Sequence, residues 1–223
     1  MSGDQPGAAA GRRPGPPGDW DGRFPGFDAA AQAPYWDPVT AGTVLSRLQP
    51  PQELRFFTPV EEATAVALCD RLLGQDQAGP AIPVVAMIDV RLAGMQTDGW
   101  RYADMPEDGQ AWRDTLRYLD GDAQAKFSCA LAQCTPDDQR AVIQAVQDLG
   151  SGDWHGLNAA HVWSLWTRYA CTAFYSHPQA WNEIGFPGPA YPRGYKHAGL
   201  DAREPFEVRD AQPGDDPVRG GPR

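Results

Sequence analysis

The chain has 223 residues, 42% of them hydrophobic, which is enough for a cored domain and excludes a chain disordered throughout. A formal charge of −10 and a pI near 4.7 make nucleic acid and anionic membranes poor partners, because both would repel it. Proteins and neutral ligands remain, and no apolar run is long enough for direct membrane insertion.

Residues 1–36 read as a Gly/Pro-rich arm, expected to be mobile alone and to wrap a partner or groove through Trp20, Phe24, Phe27, Tyr35 or Trp36. Arg12-Arg13 is followed by PGPPGDWDG where an export signal needs an apolar stretch, so the chain is expected to be cytoplasmic unless exported with a partner. Residues 37–200 are the expected helical domain, and 201–223 return to charged, Pro/Gly-rich tail.

The first clear helix start is Thr58-Pro59-Val60-Glu61: a capping hydroxyl, a proline at N1 and an acid at N3. Val60, Ala63, Ala67, Leu68 and Leu72 predict its buried stripe, and Gly74 ends it. A second helix follows Ile82-Pro83, with Val84, Val85, Ile88 and Leu92 inward and Asp89 and Arg91 on the wet side. The loop TDGWRYADMPEDG carries Trp100, Tyr102 and Met105, expected to cover one end of the bundle.

Between 109 and 133 the apolar residues Trp112, Leu116, Leu119, Phe127, Ala130 and Leu131 change spacing at Gly121-Asp122, a candidate break between two helices. Thr135-Pro136-Asp137-Asp138 repeats the capped, acidic start, and Val142, Ile143, Val146 and Leu149 form its apolar stripe. A sixth segment, about Asn158 to Phe174, is apolar around more than half its circumference and therefore central. With no alternating strand pattern, the fold class is all-α: an irregular bundle of five to seven helices with a long aromatic C-terminal coil.

Enzyme signatures are missing: there is no glycine-rich phosphate loop, no nucleophile elbow and no di-iron Glu-x-x-His pattern, so no catalytic residue, cofactor or metal is assigned to this chain. Cys69, Cys129, Cys134 and Cys171 lack metal-site spacing and are expected to be reduced, with a Cys129–Cys134 cross-link the minor alternative. His155 is expected near the sixth helix start and His161 among Trp163 and Trp166, both in structural roles. Trp163, Trp166 and Tyr169 form either core or a stacking wall, and core is the commoner use of that spacing.

Residues 172–195, TAFYSHPQAWNEIGFPGPAYPRGY, are the sharpest signal. Six aromatic side chains and His177 stand among prolines and glycines, a composition expected to be irregular coil held against its own bundle or another chain. Trp181, Phe186 and Tyr191 suit interface anchors, while Asn182 and Glu183 could fix register. For His177, a contact role and a turn role are equally compatible.

The succession CDRLL (69–73), MID (87–89), TPDDQRAV (135–142) and FYSHP…WNEIGFPGP (174–189) resembles the gluconate 2-dehydrogenase subunit 3 family, small subunits of FAD-dependent sugar and polyol dehydrogenases. The resemblance spans about residues 55–195 and is most specific at its end. It implies a non-catalytic partner of a large flavoprotein of the glucose–methanol–choline (GMC) type, with FAD in that partner and, in some assemblies, a further electron-transfer subunit. Tyr175, Ser176, His177, Pro178, Trp181, Gly185, Phe186, Pro187 and Gly188 match the terminal motif and are interface or structural candidates, joined by Asn182 and Tyr191. A shortened loop at Pro178-Gln179-Ala180 and the missing apolar export region depart from the family pattern and favour a cytoplasmic complex, for example one oxidising a sugar ring hydroxyl such as C3. The competing readings are an independent helical binder of a neutral small molecule, a stand-alone enzyme, and a small subunit lending residues to a substrate pocket.

Overall fold

A computed structural model describes residues 24, 26–49, 53–75, 81–197, 199–200 and 202–209. A first 3-10 helix, Ala29–Tyr35, leads into α1 (Pro38–Ser46), α2 (Pro59–Leu73), α3 (Val84–Ala93) and α4 (Asp108–Phe127). A second 3-10 turn, Leu131–Gln133, precedes α5 (Pro136–Asp148), a minimal hairpin of β1 (Asp153–Trp154) and β2 (Leu157–Asn158), α6 (Ala159–Ser176) and α7 (Pro178–Ile184). The all-α expectation holds, with the two-residue strands as a small exception. No helix among the described residues is long and apolar enough to cross a membrane.

Four helices begin with one device, a capping side chain followed by proline. Thr58 accepts the Glu61 amide while Glu61 returns to the Thr58 amide, closing a capping box ahead of Pro59. Thr135 caps α5 before Pro136, Asp37 caps α1 before Pro38, and His177 caps α7 before Pro178. Asp37-Pro38 and His177-Pro178 carry the same local signal as Thr58-Pro59, with a carboxylate and an imidazole in place of the hydroxyl. Residues 172–195 are consequently not all coil: α6 extends to Ser176 and α7 follows at once.

Gly121-Asp122 does not break a helix, because α4 runs through it. Gly121 faces open space, where a missing side chain leaves no cavity, and the buried residues Leu116, Leu119 and Ala123 keep one helical stripe across it. The buried face of α2 is also rotated from expectation: Thr64, Ala65, Ala67, Leu68 and Cys69 point inward, whereas Val60 is exposed.

The main core joins α2 to α6 around Trp112, Trp166 and Tyr169, all fully buried. Two of the three rings have their polar atom satisfied, while Trp112 Nε1 has no acceptor among the described residues. Trp166 Nε1 donates to Thr115 Oγ1 at 3.0 Å, and Tyr169 Oη donates to Asp108 Oδ2 at 2.7 Å. Trp166 and Tyr169 are core and form no wall for a ligand.

Asp89 is the largest correction on α3. It is fully buried, and its two oxygens accept the amides of Arg55, Phe56 and Phe57 at 2.8, 2.8 and 2.9 Å. The segment before α2 has no regular partner for these amides, so a carboxylate supplies one. Asp120 works similarly, accepting Thr64 Oγ1 and the Leu131 amide.

Cys129 and Cys134 form a disulfide across the second 3-10 turn, correcting the reduced reading. A five-residue offset would separate them on a regular helix, but α4 ends at Phe127 with Ser128 in the left-handed region, and the chain folds back. Cys69 is free and buried; Cys171 is free and exposed.

Candidate partner interface

α7 has two working sides. Ala180 joins the main core, whereas Trp181 enters a separate small core with Ala29, Trp36 and Val44, flanked by Phe27, Ala33 and Ala41. Trp36 and Trp181 meet edge to face, with ring centroids 6.5 Å apart. Asn182 Oδ1 accepts the Ala29 amide at 2.7 Å, fixing the first 3-10 helix against α7.

The glycines of IGFPGP are explained by close approach. At Gly188, with φ of +81°, an added Cβ would overlap the Trp36 indole; at Gly185, with φ of +68°, it would overlap Phe24 and Val208. Gly185 also ends α7, with the Phe186 amide returning to Trp181 O at 2.9 Å.

His177 is buried at the junction of α6 and α7, where Nδ1 accepts the Gln179 amide at 3.2 Å. Burial, reinforced by the charge of Arg47, lowers its pKa from the ordinary 6.5 to about 4, so the ring is neutral near pH 7. Arg47 Nη1 donates to Ser176 O at 2.9 Å, tying α1 to the end of α6. Trp181 Nε1 donates to Tyr175 O at 2.7 Å. Of the two roles open to His177, the turn role is the one seen.

The sequence-predicted residues therefore divide. His177, Pro178, Trp181, Asn182, Gly185, Pro187 and Gly188 are buried by their own chain, and Ser176 is half-buried. Tyr175, Phe186 and Tyr191 are exposed, as are Ile184 and Tyr195. In the arm, Trp36 is buried, Phe24 and Phe27 are half-buried and Tyr35 is 61% exposed; Trp20 lies outside the described residues.

Arg193 organises the outer surface and was not singled out from the sequence. Its guanidinium lies 3.5 Å from the Phe206 ring centroid and 6.0 Å from that of Tyr35, and it donates to Gln32 Oε1 and Pro187 O. Tyr195 lies 6.0 Å from Phe206. An arginine within an aromatic-rich coil was the available signal. The result is an aromatic face drawn from arm, coil and tail, bordered by an open cleft of about 780 Å³ lined by Ile184, Phe186, Pro187, Tyr195 and Val208 among others.

Glu204 closes the tail onto the coil by accepting the Lys196 and His197 amides and pairing with His197 Nδ1 at 3.1 Å. The hydrogen bond donated by the His197 amide leads the contacts that hold its carboxyl below the usual range.

The other histidines have partners within the chain. His155 Nε2 meets Asp122 Oδ1 at 2.8 Å, with the ring stacked on Tyr118. His161 does not pack with Trp163 and Trp166; it stacks on Tyr102 at 3.7 Å, and Nδ1 meets Asp104 at 2.9 Å. Nearby, burial raises the Asp98 carboxyl, but contacts with Arg91 and Arg168 outweigh burial and hold it below its usual range. The 95–105 loop covers the bundle through buried Met105, while Trp100 and Tyr102 remain accessible. Among the described residues, no group of three or more His, Cys, Asp or Glu could hold a metal ion.

The geometry among the described residues is a shaped aromatic surface. No curated protein and no solved structure matches the chain. The family model described as Gluconate 2-dehydrogenase subunit 3 matches residues 59–188, from the N1 proline of α2 to the glycine beneath Trp36. That span is more than half of the sequence, and the chain belongs to the gluconate 2-dehydrogenase subunit 3 family.

Proposed function

We propose that the chain is the non-catalytic small subunit of an oxidoreductase complex and stabilises or matures a large, FAD-containing subunit of the GMC type. The family match supports the accessory role. The observation that carries the docking assignment is the face on which Arg193 gathers Tyr35 and Phe206, next to an open cleft lined by the exposed Phe186 and Tyr195. Tyr191, also exposed, follows the matched region.

In this reading FAD and the catalytic base belong to the partner, which oxidises a sugar or glycoside, for example at ring C3. The small subunit contributes surface. Tyr175, Phe186 and Tyr191 are the motif residues available for contact, while His177, Trp181, Asn182 and the buried glycines shape the surface from below. A cytoplasmic complex is the location proposed from the sequence. The Cys129–Cys134 disulfide, of a kind that persists in oxidising compartments, argues the other way, and fractionation of the tagged complex decides between them.

The test is co-expression with a candidate large subunit of the GMC flavoprotein type, followed by size-exclusion chromatography with mass and flavin absorbance read on one peak. A single peak containing both chains and FAD is expected. Separate peaks, with the large chain flavin-loaded and active alone, would overturn the accessory reading.

A further inference from the structure

The arm and tail lie outside the family-matched span, yet they complete its terminal surface. Residues 24–49 precede that span and residues 190–209 follow it. The arm inserts Trp36 over Gly188 and against Trp181, and hydrogen-bonds to Asn182 through Ala29. The tail places Val208 over Gly185 and Phe206 over Arg193. Arg193 then joins them by holding Gln32 of the arm.

The arm's share of this assembly, Ala29, Trp36 and Val44 with Trp181 of α7, is a second core, separate from the one that joins α2 to α6. Its central ring also carries a cost. Trp36 is 6% exposed, and its Nε1–H has no acceptor among the described residues. An unpaired buried donor weakens docking of the segment that carries it. Trp112 Nε1–H in the main core is equally unpaired, so the donor alone does not mark the arm. Its small core does, with four buried residues tied by Ala29–Asn182, Arg47–Ser176 and Gln32–Arg193 among the described residues, and such a segment opens locally before the whole molecule unfolds.

We infer that residues 26–49 form a detachable strap, and that its docking onto α7 builds the aromatic face used by the large subunit. Closed, the strap places Tyr35 beside Arg193 and orders the coil above Gly188. Open, it removes Tyr35 from the face and uncovers Trp181, while the main helical core stays folded. The large subunit binds the closed form more tightly, so binding and strap closure reinforce each other reciprocally. The link to the large subunit rests on the function proposed above; the opening of the strap does not.

The experiment uses the full chain and compares wild type with Trp36→Ala and Gly188→Ala by hydrogen exchange and by titration with the FAD-loaded large subunit. In both variants, amides of 26–49 and 178–195 are expected to exchange at least about tenfold faster while the centres of α4 and α6 keep their protection. Large-subunit affinity is expected to fall about tenfold, and bound large subunit should slow arm exchange in wild type. Global loss of protection in both variants would overturn a separable strap. A locally open arm with unchanged or tighter partner binding would overturn its role in building the face. If wild type itself does not bind the large subunit, the proposed function fails, and the exchange data still decide whether the strap opens independently.

Discussion

Asp89 accepts the Phe57 amide at 2.9 Å from a fully buried position, joining α3 to the segment that leads into α2. Phe57 in turn packs edge to face on Trp112, with centroids 6.0 Å apart, so the carboxylate also positions a ring at the edge of the central core. Removing it leaves three backbone donors without their acceptor. Asp89→Ala is expected to cost about 3 kcal/mol, and Asp89→Asn less, because an amide can still accept on one oxygen but opposes its NH2 to a backbone donor. Urea denaturation measures both. A variant as stable as wild type would show that water replaces the carboxylate without penalty.

Trp181 and Tyr191 were both read as interface anchors, and the structure separates them. Trp181 is 5% exposed and packs with Trp36, whereas Tyr191 is 69% exposed. Trp181→Ala is expected to destabilise the isolated chain by about 3 kcal/mol through loss of small-core packing. Tyr191→Ala should change stability by less than about 0.5 kcal/mol. Its effect is expected in the complex, as weaker retention of the large subunit on size-exclusion chromatography. Unchanged assembly after combined loss of Tyr191 and Phe186 would remove the coil from the interface.

The helical class and most of the main core were legible because helix starts and apolar spacing are local signals. Thr58-Pro59 and Thr135-Pro136 gave two helices, and Val142, Ile143 and Val146 gave a buried face. Long-range pairings were not legible. Nothing around Asp89 announces three amides from residues 55–57, and on helical periodicity the residue simply looked wet. The terminal motif was recognised as special, but its glycines became explicable only with Phe24, Trp36 and Val208 placed above them. The helical nature of 178–184 was missed because glycine and proline content outweighed the His177-Pro178 start.

The Cys129–Cys134 bridge closes a very short loop, with a sequence separation of 5. Its stabilisation is therefore modest, about 2 kcal/mol from the restricted unfolded chain. The enclosed turn is independently held, since Gln139 Nε2 donates to Leu131 O and Cys134 O, and Asp120 accepts the Leu131 amide. Reductant is expected to lower the thermal midpoint without unfolding the protein at 25 °C, and a Cys129→Ser/Cys134→Ser variant should lose that sensitivity. A midpoint indifferent to reductant, with both thiols freely labelled beforehand, would show that the bridge is not formed in solution.

His177 supplies a pH dependence whose sign follows from its burial. Its folded pKa of about 4 lies below the ordinary 6.5, so between those values the unfolded chain takes up a proton that the folded chain does not. The contribution is fully present above pH 6.5 and is lost as pH falls toward 4, amounting to about 3 kcal/mol over the whole interval. The side chain cannot be protonated on Nδ1 while that atom accepts the Gln179 amide, so acid should loosen the start of α7 first. His177→Asn keeps a capping acceptor and removes the titration. Urea midpoints measured from pH 7 to 4.5 should fall more steeply for wild type than for the variant, the other acids and histidines being common to both. Parallel curves would mean that the ring gains protonation without leaving its place, and that the α6–α7 junction is wetter than its burial indicates.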